Sequence, residues 1–101
     1  MSVRHFMVRT IVTLPTDETS ELAQLREAER ARADALQREG TLVVIWRDAE
    51  QLASFGIWRG EDKERVRSEI VGLPMYRYMD VTITEIERHP NAIDSYPFGD
   101  R

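Results

Sequence analysis

The chain has 101 residues, 42% hydrophobic and 32% charged, which is the make-up of one globular domain with a modest core. Its formal net charge of −4 excludes a broad phosphate-binding surface, so no nucleic-acid partner is expected. The absence of cysteine excludes disulfides, thiolate nucleophiles and cysteine-based zinc sites.

The first expected element is a strand over residues 4 to 14. Phe6, Val8, Val12 and Leu14 share one parity, Met7 and Ile11 take the other, and Pro15 stops the run. Asp17, Thr19 and Ser20 are each plausible helix caps, because a side-chain oxygen there can accept a free backbone N–H of the first turn. Thr19 to Gly40 reads as one amphipathic helix, with Leu22, Leu25, Ala33 and Leu36 in a single stripe at about 100° per residue. Gly40 suits the left-handed position just beyond the helix end. On the same helix Arg26, Arg30, Arg32 and Arg38 are interleaved with Glu21, Glu27, Asp34 and Glu39, the pattern of a solvated face.

Glu29 breaks the helical pattern, falling near the middle of the apolar stripe. A carboxylate aimed at a core is costly unless it is paired, protonated or facing a pocket. That makes Glu29 a candidate acid or base. The plain alternative is an ion pair with Arg26 or Arg32 that closes the edge of the core.

A β-rich run from Thr41 to Arg47, a turn over 48 to 51 and a run from Leu52 to Trp58 predict a hairpin, with Gly56 marking a bulge or a close approach. Gly60, Glu61 and Asp62 open a second helix that buries Val66 and Ile70 and ends at Gly72 and Pro74. A last strand runs from Met79 to Glu87. The order β-α-β-β-α-β is the α+β, ferredoxin-like arrangement: a four-stranded antiparallel sheet with both helices on one face. Trp46, Trp58 and the alternating strand residues leave the other face apolar, so two sheets are expected to pair in a dimer. Residues 1–93 form the single expected domain and 94–101 a C-terminal tail. The aromatic–proline cluster Tyr96, Pro97, Phe98 gives that tail two readings, docked on a neighbouring subunit or unattached.

The longest apolar run, Leu42 to Trp46, is far short of a bilayer-spanning helix, and no basic-then-apolar leader opens the chain. No membrane association and a cytoplasmic location are expected. His5 and His89 are isolated and bring no third ligand, so no metal site is expected.

Four blocks then become informative together. Gln37-Arg38-Glu39-Gly40-Thr41, Trp46-Arg47, Leu73 through Val81 (Leu-Pro-Met-Tyr-Arg-Tyr-Met-Asp-Val) and Arg88-His89-Pro90, in this order and spacing, resemble the muconolactone Δ-isomerase family over roughly residues 6 to 93. The resemblance implies a dimeric α/β barrel of ferredoxin-like subunits, often assembled into a decamer. It also implies a cofactor-free isomerase that converts a small molecule, muconolactone, to the 3-oxoadipate enol-lactone of aromatic-compound catabolism. The family's inward helix Glu aligns with Glu29, and its Lys one turn earlier aligns with Arg26, which keeps the positive charge.

Where the family's third strand carries His, Tyr, Asn and Ser, this chain has Gln51, Leu52, Ser54 and Gly56, with Phe55 for a further Tyr. Family histidines of the second and first strands become Val44 and Met7. These changes predict a less polar pocket. The resemblance thus gives Glu29 as proton carrier, Arg26 as the partner of a substrate carboxylate, and Ser54 or a backbone N–H as donor to the lactone oxygen. Two other readings stand beside it: a divergent paralogue acting on a less polar molecule, and a barrel that binds a small molecule without catalysis. They divide on whether Glu29 lies in a pocket with a raised pKa or is tied up by arginines at the surface.

Overall fold

A computed structural model of the chain describes residues 3–17 and 19–93. The tail expected over 94–101 lies outside them. Strand β1 (Arg4–Val12) leads to helix α1 (Ser20–Glu39), then to β2 (Leu42–Arg47) and β3 (Ala53–Gly60). Helix α2 (Lys63–Val71), a short 3-10 turn over Tyr76–Tyr78 and β4 (Met79–Ile86) complete the order. All strand pairs are antiparallel and the sheet order is β2-β3-β1-β4, so the expected α+β, ferredoxin-like topology is the one formed.

Local sequence accounts for the element ends. Thr19 caps α1 by accepting the Leu22 N–H at 3.2 Å, and Gly40 ends it at φ +84°, a conformation that disfavours any side chain. Asp62 caps α2 by accepting the Arg65 N–H at 2.8 Å. The expected stripe of α1 packs inward through fully buried Leu22 and Leu36, while α2 contributes Val66 and Ile70. Between helices and sheet Leu36, Val66 and Ile70 meet Phe6 and Val8 of β1, Leu42 of β2 and Ile83 of β4. An ion pair at 3.0 Å from Arg32 to Glu69 joins the two helices.

Two features depart from simple alternation. The β2–β3 register shifts between Leu42 and Val44, so both Leu42 and Ile45 face the helices although three residues apart. Trp58, expected on the open sheet face, belongs instead to the helix-side core and is 5% exposed. The reason is strand parity: Ser54, Gly56 and Trp58 share one face of β3, and that face meets the helices. Trp46 does lie on the open side, 55% exposed.

Candidate active site

Between α1 and the sheet lies a cavity of about 210 Å³. It is smaller than the roughly 300–1,000 Å³ pockets that enclose drug-sized ligands, so it has room only for a small molecule or part of one. Val8, Thr10 and Val12 of β1 form part of the floor, and Ser54, Gly56 and Trp58 of β3 continue it. Helix α1 supplies Glu29, Ala33 and Leu36 from above. Leu73, Met75 and Met79, from the connection into β4, close one side, and Ile45, 46% exposed, stands at the rim. Almost every lining group is apolar. Among the described residues Glu29 is the only ionisable one in the lining.

Position 29 follows directly from the helical spacing. Glu29 precedes Ala33 by one turn on the stripe that also buries Leu36, so its side chain is delivered to the cavity. One carboxylate oxygen accepts the Met75 N–H at 2.9 Å. That N–H sits after Pro74, in a turn where the backbone offers it no acceptor among the described residues. Burial pushes the Glu29 pKa above 4.5, the value of an ordinary Glu, and the Met75 hydrogen bond offsets only part of that rise. The ion pair weighed as the plain alternative is absent among the described residues. Arg32 is directed to Glu69 and Glu39 instead, at 3.0 and 3.8 Å.

The other candidates are placed unequally. Ser54 lines the cavity with Glu29. Arg26, one turn before Glu29, is exposed and is not part of the lining. Of the positions expected to make the pocket less polar, Ser54 and Gly56 do line it. Met7, Val44 and Phe55 have the opposite parity and fall on the open sheet face, and Gln51 and Leu52 lie in the hairpin turn outside the lining. Apolarity therefore comes from Val8, Val12, Leu73 and the two methionines more than from those substitutions.

Sequence reasoning missed Thr10 and Trp58. Both signals were available: Thr10 shares the parity of Val8 and Val12, and Trp58 lies four residues beyond Ser54 on one strand face. The hydroxyls of Thr10 and Ser54 have no hydrogen-bond partner among the described residues, so both remain available in the cavity.

Comparison with known proteins gives this fold a family. Residues 5–92 match the sequence profile of the family described as muconolactone delta-isomerase. The chain is 34% identical to the muconolactone Delta-isomerase of Acinetobacter baylyi over 82 residues, 81% of this chain and 82% of that one. It is also 34% identical to the Pseudomonas putida enzyme of the same name, over 89% of this chain and 95% of that one. A crystal structure of muconolactone isomerase superposes with a TM-score of 0.83 at 34% identity, covering 96% of this chain and 99% of its own. With the profile matched over residues 5–92 and the fold shared over 96% of the chain, the chain belongs to the muconolactone Δ-isomerase family and is an enzyme of the isomerase class.

Proposed function

We propose that this chain shifts the ring double bond of muconolactone to give the 3-oxoadipate enol-lactone, with Glu29 as its single acid–base group. The observation that carries the reading is one half-buried carboxylate, raised in pKa, facing a mostly apolar cavity in a chain of this family. The reaction asks for little more. Glu29 takes the proton from the ring carbon bearing the side arm: that C–H bond breaks and a Glu29 O–H forms. The electron pair moves into the ring, and the charge of the resulting dienolate rests on the lactone carbonyl oxygen. The Glu29 O–H then returns its proton to the carbon next to that carbonyl, leaving the double bond one position along. A raised pKa suits both halves, because the same group must accept and then donate near the operating pH.

Arg26 and Ser54 complete the proposal. The guanidinium of Arg26, one turn from Glu29, would hold the carboxylate of the substrate's side arm outside the apolar cavity. The Ser54 hydroxyl is a donor within it. The open sheet face, apolar at Met7, Ile11, Val44, Trp46, Phe55 and Ile57, supports pairing of two subunits across their sheets, with further assembly to a decamer as the family resemblance implies. Cytoplasmic action on a freely diffusing metabolite is part of the same proposal.

A second reading has its own support. Among the described residues no cationic side chain lines the cavity, which favours a ligand whose enclosed part is uncharged. A paralogue acting on a less polar lactone fits that as well. Turnover of muconolactone by the wild type beside Glu29→Gln separates the readings. The amide keeps the acceptor for Met75 but cannot carry the proton, so a loss of about 10²- to 10⁴-fold in kcat is expected. Equal turnover by both proteins would remove Glu29 from the mechanism.

A further inference from the structure

Trp58 combines two properties that seldom occur together. Its side chain is 5% exposed and belongs to the hydrophobic core, yet its indole N–H has no hydrogen-bond partner among the described residues. A buried donor left unsatisfied is costly, and no sealed, unpartnered side-chain nitrogen or oxygen occurs among the described residues. The indole nitrogen therefore reaches open space, and the space that Trp58 lines is the cavity of Glu29. The edge bearing that nitrogen lies over Gly56: a Cβ built there would stand 3.2 Å from Nε1 and 3.5 Å from Cδ1.

We propose that the Trp58 indole N–H is the donor that receives the carbonyl oxygen of a lactone bound in this cavity, and that it stabilises the charge which develops there during proton transfer. The inference rests on the isomerase reading and deepens it by naming the oxyanion donor. The indole suits this role better than the hydroxyls of Ser54 or Thr10, because it can only donate, whereas a hydroxyl also rotates and accepts. It is also held rigidly. Leu42 packs against Gly56 from one side, with Cδ1 3.3 Å from the Cβ position, and the indole itself is part of the packed core. A donor fixed before the reaction has no reorganisation to undergo as charge builds.

The first test is Trp58→Phe, which keeps an aromatic ring and removes the N–H. Removing one oxyanion donor lowers kcat on the order of 10²- to 10³-fold, with a much smaller change in KM, because the bond strengthens only as the oxygen gains charge. A folded variant with kcat within about threefold of the wild type overturns the proposal, that residue being far below the loss of a donor.

The second test uses the wild-type protein and no turnover. The saturated lactone 5-oxotetrahydrofuran-2-acetate has the carbonyl but no double bond to move. Adding it should shift the Trp58 indole N–H signal downfield in ¹H–¹⁵N spectra, with Trp58→Phe assigning that signal against Trp46. A Trp58 signal that stays in place up to tens of millimolar lactone overturns the proposal. If muconolactone is not turned over at all, the isomerase reading falls separately. The indole signal then still decides whether Trp58 receives a lactone carbonyl.

Discussion

Gly56→Ala should destabilise the protein and disturb the site at once, because the absent side chain is what lets the Trp58 indole edge and Leu42 approach the strand at that position. A Cβ at position 56 would meet Trp58 Nε1 at 3.2 Å and Leu42 Cδ1 at 3.3 Å, both tighter than ordinary contact by a few tenths of an ångström. Both neighbours are buried, so neither can swing into solvent. Overpacking of this kind costs about 1–3 kcal/mol. Replacing glycine lowers the unfolded chain's entropy and returns roughly 0.4–1 kcal/mol. At the middle of these ranges the net loss is about 1.3 kcal/mol, and at roughly 4–8 °C per kcal/mol in a domain of this size, Tm falls by about 5–10 °C. Thermal melts of both proteins at one matched concentration measure it, since self-association would make Tm concentration-dependent. The relief would come from the indole moving, so the Trp58 N–H signal should shift in the same variant. An alanine protein as stable as the wild type, with an unmoved indole signal, would refute the packing argument.

Two further outcomes follow from the same geometry. Burial holds the folded-state pKa of Glu29 above 4.5, so the folded protein binds this proton more tightly than the unfolded chain. The resulting stability is complete below pH 4.5 and is lost as pH rises through the higher folded value. Glu29→Gln should therefore melt with the wild type at pH 4 and above it at neutral pH. The gap will be modest for a group only half withdrawn from water, and a gap that shrinks as pH rises would show the shift to be downward. On the open sheet face, where Trp46 is 55% exposed, Trp46→Glu should leave the subunit folded while reducing self-association in sedimentation velocity. An unchanged sedimentation coefficient would place the subunit contact elsewhere.

The sequence was most legible where one periodicity ruled an element from end to end. The helical stripe through Leu22, Ala33 and Leu36 predicted both α1 and the inward position of Glu29, and the structure places Glu29 at the cavity. Gly40 announced the end of α1 because few other residues tolerate its positive φ. Faces of the short strands were harder to read. In β3 every residue from Phe55 to Trp58 except Gly56 is apolar, so both faces look equally suited to a core, and Trp58 was misplaced. In β2 the irregularity between Leu42 and Val44 reverses the parity partway along, and no turn residue signals it. The cavity itself was invisible for a different reason. It needs α1, β1, β3 and the segment from Leu73 to Met79 together, and the approach of these elements is a tertiary property that no local pattern encodes.

The most direct test of the account is to incubate purified wild-type protein with (S)-muconolactone and follow ultraviolet absorbance, identifying the product by ¹H NMR. Conversion to the 3-oxoadipate enol-lactone that disappears in a folded Glu29→Gln variant is the predicted result. Substrate left unchanged by the wild type, or turnover undiminished in the variant, would contradict it.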